Sequence, residues 1–228
     1  MPEREHNTEA KRTVAVFDLD RTLTTFDTYL PFLGFVCTYY PSRMLKLPAL
    51  TAYLVAYGLR MRDNSWLKER FWSAIVGGLP CSRIDELGGK FAEFVCRRGM
   101  RKGAITVIDD HLAAEHDLVL ASASLDVYVQ HIAERLRFDT VVCTRAERAD
   151  NAHFTGRLGS PNCYGKEKVR RLADVIDGPV EARRVIAYSD HHSDAGLLAW
   201  ADRGVAVCPT RKMRVIAEQS SYRIVTDW

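Results

Sequence analysis

Short apolar segments rich in β-branched residues recur along the chain and alternate with helical patterns. The first, Thr13 to Phe17, ends directly in acidic residues. Four further segments share its character: 117–121 (DLVLA), 140–143 (TVVC), 184–188 (RVIAY) and 204–208 (GVAVC). Apolar runs of this length are typical of buried parallel strands, and helical patterns lie between them at 101–115, 125–137, 166–176 and 194–201. The alternation predicts an α/β fold, a doubly wound, Rossmann-like parallel sheet with helices on both faces.

Residues 28–99 interrupt this alternation with aromatic-rich helical segments, prolines and no convincing strand. We expect a helical cap domain of residues 28–99 inserted after the first strand, above its carboxyl end. Residues 1–27 and 100–228 then form the α/β core domain, with the first dozen residues as a frayed tail. Residues 145–158, with Asp150-Asn151 as a turn, predict a small β-hairpin.

The bulk composition excludes several classes of protein. A formal net charge of +3 over 228 residues is too small and too evenly spread to indicate nucleic-acid binding. The six cysteines form no C-x-x-C pair, so we expect free thiols in a reducing compartment rather than a zinc cluster or a disulfide scaffold. The polar N-terminus has no apolar core of a secretory signal, and we therefore expect a cytoplasmic protein.

Two acidic pairs follow apolar segments. Asp18 and Asp20 come directly after the first predicted strand, and Asp190 and Asp194 come after the fourth. Ligands of such sheets bind beyond the carboxyl ends of the strands, where these carboxylates would converge. Carboxylates that lie close together resist joint ionisation unless a cation intervenes, and their hard oxygens suit Mg²⁺. Solvated loop residues remain the alternative for the first pair, and a helix N-cap remains the alternative for Asp194.

Candidate phosphate-binding groups follow two other segments. Ser122 and the backbone N–H groups around Ala123 precede a predicted helix, and such a helix start binds anions. The alternative is that Ser124 is a simple N-cap. Lys166 and Lys168 open a later helix, where a cation is unfavourable unless an anion lies nearby. Which of the two lysines serves the site stays open.

This ordered set of residues resembles the haloacid dehalogenase superfamily of phosphatases. Its D-x-D-x-T motif is matched by Asp18, Asp20 and Thr22, and its later serine, lysine and D-x-x-x-D motifs by Ser122, Lys168 and the Asp190–Asp194 segment. Arg21 departs from the pattern, since many members carry glycine there. The sequence is most similar to the phosphoserine-phosphatase-like branch with a helical cap, subfamily IB.

The resemblance implies a Mg²⁺-dependent phosphomonoester hydrolase that acts through an aspartyl-phosphate. Asp18 would be the nucleophile and Asp20 the general acid and base. The implied Mg²⁺ ligands are Asp18, Asp20 through its backbone carbonyl, and Asp190. The implied phosphate-binding residues are Ser122, Ala123 and Lys168, and the implied supporting residues are Asp194, Thr22 and Asp27. His191 and His192 are expected to be loop residues, with a metal role as the lesser alternative.

The substrate is less well defined by the sequence. The apolar stretch of residues 44–59 is either a buried helix or a surface that touches lipid at the inner face of the membrane. The segment also resembles the corresponding region of the phosphatidylglycerophosphatase C group. The leading hypothesis is therefore a lipid-linked or amphiphilic phosphate such as phosphatidylglycerophosphate. A soluble small-metabolite phosphatase, with a phosphoserine-like substrate, is the alternative; a phosphotransferase and a regulatory module without turnover are further ones.

Overall fold

The structure, a computed structural model, describes residues 12–59, 61–176 and 183–228, so most of the predicted frayed tail lies outside the described residues. The strands in these ranges are β1 (Arg12–Phe17), β2 (Asp117–Leu125), β3 (Thr140–Thr144), β4 (Ala146–Arg148), β5 (Phe154–Leu158), β6 (Arg183–Ser189), β7 (Arg203–Val207) and β8 (Arg223–Val225). The α-helices are α1 (Tyr29–Tyr39), α2 (Leu47–Gly58), α3 (Asn64–Ile75), α4 (Cys81–Phe94), α5 (Lys102–Ala113), α6 (Asp126–Arg135), α7 (Lys166–Val175), α8 (Ala195–Trp200) and α9 (Arg211–Gln219).

Six strands form one sheet in the order β3-β2-β1-β6-β7-β8, and every neighbouring pair is parallel. The predicted α/β parallel fold is therefore confirmed. Strand β1 lies between β2 and β6, so the carboxyl ends of these three strands meet at the middle of one sheet edge. The hairpin of β4 and β5 is antiparallel, as predicted. Strand β8 was not predicted, because a strand of three residues has no detectable periodicity. Helix α9 was not predicted either, although its buried residues Met213 and Ala217 lie one helical turn apart.

Side chains of β1 alternate between two hydrophobic clusters, one on each face of the sheet. Ala15 and Phe17 belong to the cluster that includes residues of α5 and α6. Val14 and Val16 belong to the cluster that includes residues of α7, α8 and α9. Burial on both faces explains why residues 14–17 of β1 are all apolar.

Helices α1–α4, here called the helical insertion, lie between β1 and α5 in the chain. Their inward residues join the same cluster as Phe17 rather than a separate core. The Phe32 ring lies 5.3 Å from that of Phe91 and 4.7 Å from that of Tyr128 on α6. On α4, a Cβ added to Gly88 would lie 1.8 Å from the Val127 carbonyl oxygen. The insertion is thus packed tightly on the core. The predicted boundaries of a separate cap domain, at residues 28 and 99, stay a prediction.

Helix α2 differs from the buried helix that was one interpretation of residues 44–59. Among its described side chains, Leu50 is buried, whereas Leu54 is 49% exposed and Val55 61% exposed. Leu59, which follows the helix, is 67% exposed. The interpretation as a buried helix is therefore wrong. In the described ranges, no helix has both the length and the apolar character required to cross a membrane.

Candidate active site

Asp18 occupies the position directly after β1, at the middle of the sheet edge. Its backbone N–H donates to the Tyr188 carbonyl at 3.0 Å, which continues the pairing of β1 with β6. The carboxylate is buried, and its Oδ1 accepts a hydrogen bond from Lys168 Nζ at 2.8 Å. Its Oδ2 accepts one from Thr22 Oγ1 at 3.0 Å. Both oxygens of Asp18 are therefore oriented by the protein.

Thr22 connects Asp18 to Asp190. The Thr22 hydroxyl accepts a hydrogen bond from Asp190 N at 3.0 Å and lies 3.3 Å from Asp190 Oδ1. A hydroxyl has a single hydrogen, so it donates to Asp18 or to Asp190 at any moment. The Asp18 and Asp190 carboxylates, at the ends of the neighbouring strands β1 and β6, thus both contact the same buried hydroxyl.

Lys168 links Asp18 to Asp194. Its ammonium lies 2.7 Å from Asp194 Oδ2, which also accepts from Ser189 Oγ at 2.9 Å. Asp194 stands at the N-cap position of α8, but its side chain makes no capping hydrogen bond. Its Oδ1 is buried without a hydrogen-bond partner among the described residues. Lys166 is exposed, so the structure brings Lys168 and not Lys166 to the cluster.

The cluster holds more negative than positive charge. Asp18, Asp190 and Asp194 are buried around the single cation of Lys168. Burial, opposed by Lys168 and assisted by the neighbouring carboxylates, raises the pKa of Asp18 to about 8. Burial and Asp194 likewise raise the pKa of Asp190 to about 7. Although burial disfavours its ammonium, Asp18 and Asp194 hold the pKa of Lys168 above its usual range.

The charge excess and the oxygen donors fit a divalent cation such as Mg²⁺. Asp18 Oδ2 and Asp190 Oδ1 both face the Thr22 hydroxyl, and carboxylate oxygens are the donors that Mg²⁺ prefers. In the part of the chain that the structure describes, no three His, Cys, Asp or Glu side chains are grouped to hold a metal. The expectation that the Asp20 backbone carbonyl is a further Mg²⁺ ligand stays a prediction.

Asp20 lies beside this cluster with its carboxylate fixed from two sides. Its Oδ1 accepts from Thr28 N at 2.6 Å and Thr28 Oγ1 at 2.7 Å, and its Oδ2 accepts from Ser124 Oγ at 2.6 Å. Neither partner was predicted. Ser124 was considered as an N-cap, but Leu125 holds that position, and the Ser124 hydroxyl binds Asp20 instead. The contact joins residues 104 positions apart, so no local pattern could reveal it.

Ser122 and Ala123 lie at an irregular end of β2. The register with β3 shifts between Ser122 and Leu125, which indicates a bulge. Ser122 is fully buried and its Oγ accepts from Ser124 N at 3.0 Å. Helix α6 begins at Asp126, one residue after the predicted start, so Ser122 and Ala123 precede it as expected, but they belong to β2 and not to the first turn of the helix.

Asp27 lies outside the buried cluster. It is exposed and accepts a hydrogen bond from Arg21 Nε at 2.7 Å. Arg21 has a φ of 59°, a conformation that glycine adopts freely, and this is the position where many family members carry glycine. His191 and His192 contact each other, with ring centroids 4.0 Å apart, and His191 Nδ1 lies 2.9 Å from Ser193 Oγ. His192 begins a short 3-10 helix, His192–Asp194, and His191 precedes it. The interpretation that neither histidine has a metal role stays a prediction.

One buried residue near the site, Lys68, was not predicted from the sequence. Lys68 on α3 is 7% exposed, and its Nζ donates to the Ala123 carbonyl at 2.7 Å and to Asn162 Oδ1 at 2.8 Å. Burial lowers the pKa of Lys68 to about 8. Lys68 stands one and two turns before Trp72 and Ile75 on the buried face of α3. That helical spacing was a usable signal, obscured by the charged residues that follow Lys68 in sequence.

The structure thus has a parallel α/β sheet with a buried cluster of carboxylates and one lysine at the carboxyl end of its central strand. The sequence model of the haloacid dehalogenase-like hydrolase family matches residues 15–199, and the chain therefore belongs to this family. The family expected from the motifs is thus confirmed.

Several individual proteins are similar to this chain. Protein CicA of Caulobacter vibrioides is 32% identical over 189 residues, 83% of this chain and 83% of that protein. Phosphoserine phosphatase SerB1 of Mycobacterium tuberculosis is 27% identical over 217 residues, 92% of this chain and 69% of that protein. A protein of unknown function from Bordetella pertussis Tohama I has a crystal structure that superimposes with a TM-score of 0.81 at 22% identity. That match covers 96% of this chain and 100% of the other and shows a shared fold.

Proposed function

We propose that this chain is a Mg²⁺-dependent phosphomonoester hydrolase of the phosphoserine-phosphatase-like subfamily IB. Its reaction would proceed through an aspartyl-phosphate on Asp18. The observation that carries the proposal is the placement of one buried carboxylate between Lys168, at 2.8 Å, and the hydroxyl shared with Asp190. The similarity to a relative named as a phosphoserine phosphatase supports the same chemistry.

In the first step, an Asp18 oxygen attacks phosphorus in line. The bond between Asp18 and phosphorus forms while the bond between phosphorus and the ester oxygen breaks, and the leaving oxygen takes that electron pair. Lys168 offsets charge on the phosphoryl oxygens, and Ser122 and the Ala123 backbone hold them. Asp194 keeps Lys168 in place through its 2.7 Å contact.

Asp20 moves the proton in both steps. Its protonated carboxyl gives a proton to the leaving alcohol oxygen, and its carboxylate then takes one from the water that hydrolyses the aspartyl-phosphate. This role requires a fixed carboxylate, and the hydrogen bonds from Thr28 and Ser124 supply the fixing contacts.

The Mg²⁺ ligands in this proposal are the Asp18 and Asp190 carboxylates and the Asp20 backbone carbonyl. A bound Mg²⁺ supplies positive charge that stabilises the phosphoryl oxygens. Thr22 keeps the two carboxylates together. Asp27 and Arg21 form an exposed ion pair close in sequence to the site, where they would border its entrance.

The proposed substrate is a lipid-linked or amphiphilic phosphate such as phosphatidylglycerophosphate, met at the cytoplasmic face of a membrane. The resemblance to the phosphatidylglycerophosphatase C group suggests it, and the exposed apolar side chains of α2 support it. Residues 41–61 contain no acidic residue, and Arg43, Lys46 and Arg62 are cations at or near the ends of α2. Apolar side chains flanked by cations suit an anionic lipid surface. The helical insertion would act as the cap that selects the leaving group.

The alternative is a soluble small-metabolite phosphatase with a phosphoserine-like substrate. The relative named phosphoserine phosphatase SerB1 favours it. A phosphotransferase that passes the phosphoryl group from Asp18 to another alcohol shares the first step. The substrate and the fate of the phosphoryl group distinguish these three activities.

The test is a phosphomonoester screen that includes phosphatidylglycerophosphate in detergent, phosphoserine and p-nitrophenyl phosphate, with Mg²⁺ and then with chelator. We expect phosphate release that chelator abolishes. Asp18→Asn should lower turnover by more than about a thousandfold while leaving the circular dichroism spectrum unchanged. Activity retained in a clean preparation of that variant would overturn the proposal. A higher kcat/KM for phosphoserine would favour the soluble alternative, and phosphate transfer to added glycerol would favour the phosphotransferase.

A further inference from the structure

Lys68 donates hydrogen bonds only to neutral oxygens, unlike Lys168, although the nearby Asp20 carboxylate acts to raise the pKa of Lys68 against the larger, opposing effect of burial. Its two acceptors are the Ala123 carbonyl and the Asn162 amide oxygen, and Asn162 is itself buried. Tyr29 holds it further, because the Tyr29 hydroxyl donates to the Lys68 carbonyl at 2.6 Å and the ring centroid lies 5.6 Å from Nζ. A desolvated ammonium with neutral acceptors is costly, which indicates a role that offsets this cost.

The two acceptors of Lys68 are shared with Thr144. The Thr144 hydroxyl lies 2.7 Å from the Ala123 carbonyl oxygen and 3.1 Å from Asn162 Oδ1, and it accepts from Cys163 N. Since this hydroxyl has one hydrogen, it can satisfy one acceptor at a time. Lys68 has three hydrogens and satisfies both. Without Lys68, the Ala123 carbonyl would compete with Asn162 for a single donor.

The Ala123 carbonyl belongs to the peptide group that leads into Ser124. Ser124 N donates to Ser122 Oγ, and Ser124 Oγ donates to Asp20 Oδ2 at 2.6 Å. A fixed Ala123–Ser124 peptide therefore fixes the hydroxyl that holds Asp20. The sequence of contacts runs from Lys68 on the helical insertion, through the bulged end of β2, to the Asp20 carboxylate.

We propose that Lys68 is a positioning residue that holds Asp20 ready for proton transfer by fixing the Ala123–Ser124 peptide. The inference rests on the proposed function, because it assigns Asp20 the role of general acid. It also gives the helical insertion a part in the chemistry, since Lys68 comes from α3. Lys68 itself needs no contact with the reacting atoms.

The leaving group distinguishes positioning from general structural support. An alkyl phosphate needs a proton on its departing oxygen, whereas p-nitrophenolate leaves without one. Displacing Asp20 should therefore lower kcat/KM for alkyl phosphates more than for p-nitrophenyl phosphate. The parameter kcat/KM reports the first step, so slow hydrolysis of the aspartyl-phosphate does not mask the difference.

The experiment compares full-length wild type, Lys68→Met, Lys68→Arg and the control Lys90→Met. Lys90 lies on α4 and pairs with Glu86 in a partly exposed position. We expect Lys68→Met to lower kcat/KM for the best alkyl phosphate by roughly ten- to a hundredfold, part of the range that general acid catalysis contributes. The loss with p-nitrophenyl phosphate should stay below about threefold, and Lys90→Met should change neither. Lys68→Arg keeps the charge and the hydrogen-bond donors, so the ratio of kcat/KM for the alkyl phosphate to kcat/KM for p-nitrophenyl phosphate should stay at its wild-type value.

Hydrogen–deuterium exchange provides a readout independent of turnover. Faster exchange in the peptide that contains residues 118–126 is expected in Lys68→Met and not in Lys90→Met. Equal losses for both esters, or unchanged exchange, would overturn the inference. If wild type releases no phosphate from any ester, the proposed function fails, and the exchange measurement alone decides whether Lys68 fixes this segment. If Lys68→Met does not fold, equal losses of kcat/KM for both esters in folded Lys68→Arg would overturn the inference.

Discussion

Lys168 and Lys68 are both buried near the carboxyl ends of the central strands, but their partners differ. Lys168 contacts the carboxylates of Asp18 and Asp194, whereas Lys68 contacts only neutral oxygens. A buried ammonium that neutralises two carboxylates lessens their mutual repulsion, and its loss leaves buried charge without compensation. The two lysines should therefore respond differently to the same substitution.

Above about pH 8, where Asp18 and Asp190 are ionised, Lys168→Met should destabilise the chelator-treated protein by about 3–5 kcal/mol, because it removes the one cation among three buried carboxylates. Urea unfolding followed by circular dichroism measures this change. Mg²⁺ should recover part of the loss by binding the freed carboxylates. A variant as stable as wild type in chelator would show that the carboxylates are protonated or solvated in the folded state.

Residues with a place in an ordered motif could be found from the sequence, whereas the residues that hold Asp20 could not. Asp18, Asp190 and Lys168 follow strands or open a helix, so their convergence follows from sheet geometry. Thr28 and Ser124 hold Asp20 through contacts between distant parts of the chain, which no local pattern reports. The choice between Lys166 and Lys168 also needed the structure, because it depends on which face of α7 turns inward.

Among the elements, α4 offers a direct test of how the helical insertion packs. A Cβ on Gly88 would lie 1.8 Å from the Val127 carbonyl oxygen, while a Cβ on Gly89 would meet nothing closer than the His131 ring at 3.9 Å. Gly88→Ala should destabilise the protein by about 1–3 kcal/mol through overpacking. Gly89→Ala should stabilise it by up to about 1 kcal/mol through helix propensity. Thermal unfolding of the two variants is the measurement, and equal effects would contradict the packing of α4 against α6.

Helix α2 should contribute to lipid binding if the substrate is a lipid. Val55→Gln should weaken co-sedimentation with anionic liposomes roughly tenfold, since burying a valine side chain is worth about 1.5 kcal/mol. Val215→Gln is a matched control, because Val215 is 48% exposed on α9, away from the helical insertion. Wild-type protein that stays entirely in the supernatant would remove the main support for a lipid substrate.

Elements buried on both faces were the easiest to predict. The five predicted strand segments fall within β1, β2, β3, β6 and, apart from its last residue, β7, because each is an uninterrupted apolar run. Helix α2 was harder, since an apolar composition does not tell a buried helix from an exposed one. The extension of β2 from residue 121 to Leu125 was not predicted, because the bulge there depends on the pairing of β2 with β3.

For the whole molecule, the raised carboxyl pKa values predict how stability depends on pH. Asp18 has a pKa of about 8 and Asp190 of about 7 in the folded state, against 3.8 ordinarily. A raised folded pKa contributes stability that is fully present below the unfolded pKa and is lost as pH rises through the folded pKa. Chelator-treated protein should therefore lose stability between about pH 4 and pH 8.

Urea unfolding across this pH range measures the loss. Asp18→Asn should make the decline shallower, because it removes one of the two titrating groups. Mg²⁺ should stabilise wild type more at pH 8 than at pH 5, since protons compete for the same oxygens. A pH-independent effect of Mg²⁺ would indicate binding elsewhere.

The shared hydrophobic cluster of the helical insertion and the sheet affects how a ligand reaches Asp18. Swinging the insertion away as one body would expose Trp72, Phe91 and Phe32 to water. Exposing even one aromatic ring of about 200 Å² costs about 5 kcal/mol, so such an open form would be rarer than about one molecule in a thousand. Any ligand access that needs the insertion to move would instead depend on local opening of part of it, which costs less free energy than displacing the whole insertion.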